Sequence, residues 1–201
     1  MDLTLNSLIS MVTATVRAPR DGARWALNLR LSVSELWMLV ALVVLLGGLR
    51  TGLMAVLLPM PDAYQMLPPL LRSPFAMTFA LGLVLVGFAY LLAPAGRALG
   101  GNGNTAASLI VMSWWQFVMF CLRLVELGVI LISPFLGVLL QLGITGLAIW
   151  MLLAFVSELH GFDGVGTSAF AVLIAAVGVV LAMSLLMGLS GITLSGGLPN
   201  A

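Results

Sequence analysis

The sequence predicts an all-α integral membrane protein: a five-transmembrane-helix bundle with an N-terminal amphipathic interfacial helix segment. Three observations carry this. Of 201 residues, 62% are hydrophobic and 7% charged, whereas a soluble domain has roughly 25% charged residues. Mean hydropathy is +1.20. Five apolar runs, each near the ~20 residues needed to cross a bilayer, are separated by clusters of proline, glycine and asparagine.

Residues 1–31 form the first segment. Leu5, Leu8, Ile9, Val12 and Val16 recur at helical spacing, with Asn6, Ser10, Thr13 and Arg17 on the opposite face. Pro19 interrupts the helix, and a second short piece follows in which Arg20, Arg24, Trp25, Leu27, Leu29 and Arg30 mix cations, an aromatic and aliphatics. That mixture suits the headgroup region, or equally a collar packed on the protein's own helices.

Residues 32–190 form the membrane domain. Ser32-Val33-Ser34-Glu35 fits the S-x-x-E capping box ahead of an apolar run, opening a span over 33–58 and giving Glu35 a structural role. Pro59, Pro61, Asp62, Pro68 and Pro69 mark a loop. Ser73-Pro74 supplies a cap and a proline at the first helical position for a span over 75–92. The chain then leaves the bilayer through Pro94, Gly96, Arg97 and Gly100 to Asn104, residues with turn chemistry. A long span over 106–132 carries Trp114, Trp115, Gln116, Arg123 and Glu126, and must tilt or protrude. Ser133-Pro134 separates it from a span over 135–156, and Thr167 or Ser168 caps the last, over 169–189. Residues 191–201 are a short external tail.

Arg17, Arg20, Arg24 and Arg30 all precede the first span, which by the positive-inside rule makes the N-terminus cytoplasmic and the C-terminus periplasmic. Arg97 agrees, and Arg72 lies on the opposite side. All 8 basic residues are arginine, as expected of a GC-rich bacterial genome, and the expected location is a bacterial inner membrane. The start lacks a basic n-region and an A-x-A site, so no cleaved signal is expected. A net charge of +1 gives no basic face for nucleic acid. The single cysteine, Cys121, has no partner for a disulfide and reads as a packing residue.

Arginine and glutamate inside a span are costly and must be paired or snorkel. Arg123 and Glu126, three apart, share a helix face, and Arg50 falls at similar depth on the first span. An intramembrane ion cluster of Arg50, Arg123 and Glu126 is expected, either as a structural clamp or as an anionic-headgroup or solute site. Trp114, Trp115 and Gln116 form a possible helix or ligand contact. Arg17, Arg20, Arg24, Trp25, Arg30, Arg97, His160 and Asp163 are the expected cytoplasmic-face contacts to partners or lipid. Glu158, His160 and Asp163 are too few donors for a metal site, so no metal is expected, and no cofactor either. Gly100 to Asn104 lacks the G-K-[ST] ending of a phosphate loop and reads as a turn. The 12 methionines are scattered packing residues. No nucleophile, base and acid converge, which argues against a hydrolase. Ala171 with Ala175, and Gly137, Gly143 and Gly146, offer close helix contacts.

The chain also resembles the Yip domain family, including its bacterial five-span members. The similar features are the short amphipathic N-terminal segment with Pro19 and arginines, Gly96-Arg97 followed by Gly100-Gly101-Asn102-Gly103, Trp115-Gln116, Pro134 between spans, and His160-Gly161-Phe162. The resemblance implies an integral membrane protein with a cytoplasmic N-terminus, of a family with no established catalytic activity; eukaryotic relatives act with Rab GTPases in vesicle traffic. The function expected is a non-enzymatic membrane organiser or partner-binding protein in contact with lipids and with other membrane proteins or copies of itself. Two alternatives stand beside it: an accessory subunit of a bacterial energy-transducing complex, and a small carrier using Arg50, Arg123 and Glu126.

Overall fold

A computed structural model describes residues 4–58 and 73–189. The proline-rich loop, Arg72 and the tail after residue 190 fall outside the described residues. The described chain is all-helical: α1 (Leu5–Arg17), α2 (Pro19–Leu27), α3 (Val33–Leu57), α4 (Pro74–Ala98), α5 (Thr105–Ile132), α6 (Pro134–His160) and α7 (Val165–Leu189). The last five are long and apolar enough to cross a membrane, which makes this an integral membrane protein.

α3 starts with the chemistry read from the sequence, and α4 starts at Pro74 as expected, although the Ser73 side chain makes no capping hydrogen bond. Ser32 and Glu35 form a complete capping box on α3. Asn104 caps α5 by accepting from the Ala107 N–H at 2.9 Å, and Ser133 caps α6 ahead of Pro134. Three boundaries differ from expectation. α4 continues through Pro94 to Ala98, because in the last turn a missing N–H frees only one carbonyl. α6 reaches His160, where Gly161 closes it in the left-handed conformation at φ 70°. α7 begins at Val165, so Ser168 is not its cap; its hydroxyl is buried 2.6 Å from that of Ser157 on α6.

α5 is the central element, packed on α3, α4 and α6, with α1 and α2 against it as well; α7 closes the bundle between α4 and α6. Small residues set the close approaches. A Cβ on Gly48 would strike Thr78, one on Gly82 would lie 3.0 Å from Val44 Cγ1, and one on Gly137 would strike Ile130. Ala171 and Ala175 on α7 are fully buried, as the small-residue spacing predicts, whereas Gly143 and Gly146 face open space.

The N-terminal segment packs on the protein's own helices. α2 buries Pro19, Gly22, Ala23 and Ala26 against α5 and α6. α1 runs antiparallel beside α5: Thr15 meets Trp114, while Leu8, Ile9 and Val12 line a groove with Phe117, Cys121 and Val125. The hydroxyls of Ser10, Thr13 and Thr15 each donate to a backbone carbonyl of their own helix, which spares the surroundings an unpaired donor.

Burial is uneven along the bundle. At the end where α3 and α5 begin, α5 buries every residue from 108 to 114 and α6 every residue from 154 to 157. Toward the opposite end α3 buries nothing after Val43 and α4 nothing described before Leu85.

Candidate functional site

At the densely packed end, three connections join distant parts of the sequence. Arg24 on α2 holds Glu158 on α6 through both carboxylate oxygens, Nε to Oε1 at 2.8 Å and Nη2 to Oε2 at 3.2 Å. Its Nη1 also reaches Asp21 at 3.4 Å. The side-chain hydrogen bond to Glu158, followed by that carboxylate's charge, raises the Arg24 pKa above its ordinary value. Trp114 lies between Trp25 and Phe117, with ring centroids 4.7 and 5.5 Å away, and its indole N–H donates to Thr15 Oγ1 at 3.3 Å.

The third connection is His160 inside the glycine loop. The Gly103 N–H donates to His160 Nδ1 and the Asn102 N–H to the His160 carbonyl, each at 3.1 Å. With Nδ1 accepting, the neutral ring carries its proton on Nε2, a buried nitrogen without a hydrogen-bond partner among the described residues. Phe162 stacks on the ring at 5.3 Å. A Cβ on Gly96 would collide with the imidazole; one on Gly101 would sit 2.6 Å from its Cβ and one on Gly103 2.6 Å from Cε1. Gly96, Gly101 and Gly103 thus form a cage around the histidine.

His160 is 1% exposed, so its ring is not on the surface where the sequence placed it among contacts to lipid or partners. Burial follows from the cage: three glycines leave a ring-sized space and two N–H groups to fill it. Trp114, 7% exposed, serves as a helix contact. Arg17, Arg20, Arg30, Arg97 and Asp163 are exposed, and none of them has an ion pair among the described residues. Among the described residues no group of three or more metal-ligating side chains converges.

The loosely packed half holds a cleft of about 360 Å³ lined by α3, α4, α5 and α6. Its polar lining is Arg50 and Thr51 on α3 with Trp115, Gln116 and Arg123 on α5. Arg123 Nη1 meets Glu126 Oε2 at 3.3 Å along the same helix, and Glu126 is buried. Arg50 lies in electrostatic range of both yet has no hydrogen bond or ion pair among the described residues. The cluster expected to join α3 to α5 is therefore not closed by an ion pair: the single carboxylate serves its own-helix neighbour, and the two guanidiniums share one cavity. Trp115 donates from Nε1 to the Ala148 carbonyl at 3.2 Å, fixing the indole as a wall.

The sequence reading missed Gly47, Leu81 and Ala148, which line this cleft, and Thr15, the buried acceptor for Trp114. For Gly47 a signal existed, since it shares the helix face of Arg50 at i−3. For Leu81 and Ala148 nothing local marks a cavity wall.

Compared with protein-family models, curated proteins and solved structures, the chain matches none.

Proposed function

We propose that this integral membrane protein is a non-enzymatic organiser or partner-binding protein of the kind the Yip domain resemblance implies, seated in a bacterial inner membrane with the arginine-bearing end in the cytoplasm. The observation that carries the reading is the docked collar. The Arg24 to Glu158 pair and the Trp25, Trp114 and Thr15 contacts hold α1 and α2 on the bundle. Arg17, Arg20, Arg30 and Arg97 are left exposed around one end, beside α2 and the α4–α5 loop. Exposed guanidiniums gathered at one end suit acidic headgroups and acidic partner segments, and the positive-inside rule supports a cytoplasmic placement. The C-terminus is then periplasmic.

Purification in mild detergent from native membranes at native expression, with non-denaturing size analysis and mass spectrometry, tests this. The expected result is several substoichiometric partners that depart when Arg17, Arg20 and Arg30 are changed together to glutamine. One stoichiometric large partner would replace the reading with an accessory subunit. Altered solute accumulation on deletion, with no partners retained, would replace it with a carrier.

A further inference from the structure

The cleft at Arg50 lies away from the collar, and its chemistry is that of a site for an acidic amphiphile. We infer that it binds the acidic headgroup of a membrane lipid, with Arg50 and Arg123 on the phosphate and the acyl chain following a contiguous apolar cleft toward mid-bilayer. Four observations support this.

The charge is complementary to an anion. Two guanidiniums and one carboxylate line or border the cavity, and the carboxylate is already engaged by Arg123 at 3.3 Å. Arg50, without an ion partner among the described residues, is the open donor, and a guanidinium matches phosphate oxygens in a bidentate fork. Second, the pair to Glu126 orients Arg123 while leaving it on the cavity wall, and the Gln116 amide adds a neutral donor beside it.

Third, the depth fits. Arg50 and Arg123 lie about 26 to 27 Å along α3 and α5 from their first residues, at roughly 1.5 Å per residue. They are therefore closer to the far ends of those helices than to the near ends, within snorkelling reach of the far headgroup layer. Fourth, Leu81, Trp115 and Gln116 line this cleft and also a second one of about 310 Å³. Leu85, Phe88, Met112 and Leu152 make the second cleft apolar. Each lies toward the near end of its helix from the arginines, the direction in which a chain descends from a far-leaflet headgroup. A soluble anion would use the first cleft only; a lipid uses both.

Gly47 supplies a test that leaves the arginines in place. It lines the cleft, and a Cβ there meets nothing within 4 Å, so Gly47→Leu starts its side chain in open space at the cavity wall. The experiment places purified protein in nanodiscs containing phosphatidylcholine with a minor fraction of phosphatidylglycerol and counts retained lipids by native mass spectrometry. The expected result is one phosphatidylglycerol per chain, enriched at least tenfold over its bulk fraction. Arg50→Gln and Gly47→Leu each abolish the enrichment, Gly47→Leu with an unchanged thermal transition. Equal retention of both lipids by the wild type, or undiminished enrichment in Gly47→Leu, overturns the inference. Saturable binding of inorganic phosphate in purely phosphatidylcholine nanodiscs, with no preference for phosphatidylglycerol, overturns the lipid assignment in favour of a soluble-anion site.

Discussion

Replacing Gly103 with alanine probes the histidine cage at the hydrogen bond that the imidazole ring accepts. The new Cβ would lie 2.6 Å from His160 Cε1, 2.7 Å from Nδ1 and 3.0 Å from Leu159 Cγ, while carbon atoms rest about 3.5 to 4.0 Å apart. Ring or loop must move by about 1 Å to restore that spacing. The movement lengthens the Gly103 N–H bond to Nδ1, now 3.1 Å, and strains the neighbouring bond from Asn102, also 3.1 Å. Overpacking costs about 1 to 3 kcal/mol, and a weakened buried hydrogen bond adds about 1 kcal/mol, so a loss of about 2 to 4 kcal/mol is expected. Reversible unfolding in mixed micelles, followed by tryptophan fluorescence and circular dichroism over a denaturing-detergent titration, measures it. His160→Ala removes the ring, so in that background the Gly103 substitution should cost less by at least about 1 kcal/mol, a coupling that a double-mutant cycle isolates. Equal costs in both backgrounds, or a single-variant effect below about 0.5 kcal/mol, would refute the cage.

Three further outcomes are expected. Arg123→Gln leaves the buried Glu126 carboxylate without its cation and should destabilise by about 3 to 5 kcal/mol, whereas Arg123→Leu with Glu126→Leu should recover most of that loss; unfolding titrations compare the two. Thr15→Val strands the indole N–H of Trp114 in a buried site and should cost about 1 to 2 kcal/mol, while the same change in a Trp114→Phe background should cost clearly less. Arg24→Gln removes both bonds to Glu158, so protease cleavage between α2 and α3 should accelerate, and the increase of cleavage with salt expected of the wild type should vanish.

The sequence made the spans legible because their signals are local. A capping box at Ser32 and Glu35, a proline at the first position of α4 and hydropathy over some twenty residues depend on neighbours within one turn or one helix, and α3 and α4 begin where those signals stand. The ends of α4 and α6 were less legible. Pro94 reads as a stop in isolation, yet the glycine loop folds back from Gly101 to the Gly96 carbonyl and keeps the final turn helical. The site residues divide in the same way. Arg123 with Glu126 is an i, i+3 pair visible in the string, and it forms. Arg50 is placed by the packing of α3 on α5, which no local pattern encodes, and the pair with Glu126 leaves it unmatched. The cage reads only in retrospect: Gly96, Gly101 and Gly103 look like a flexible turn until His160, some sixty residues later, occupies the space they leave.

The asymmetry of burial gives these pieces a common logic. Dispersion contacts and helix-to-helix hydrogen bonds concentrate at the end that carries the cage, the tryptophan stack, the Ser157 and Ser168 pair and the docked collar, so that end supplies the energy that holds the seven described helices in one arrangement. The opposite half of α3 and the described first half of α4 bury almost nothing within the protein, which leaves their apolar surfaces to lipid and the cleft at Arg50 open between them. A guanidinium in a span must be paired, snorkel or bind an anion, because at the helix centre it costs about 2.5 to 3.5 kcal/mol and toward the ends a part of that, whereas a leucine would fill the space at no such cost. Stability at one end therefore permits a charged, loosely packed site at the other. Arg50→Leu should on this reasoning raise the unfolding midpoint while abolishing acidic-lipid retention, a combination that a structural clamp would not produce.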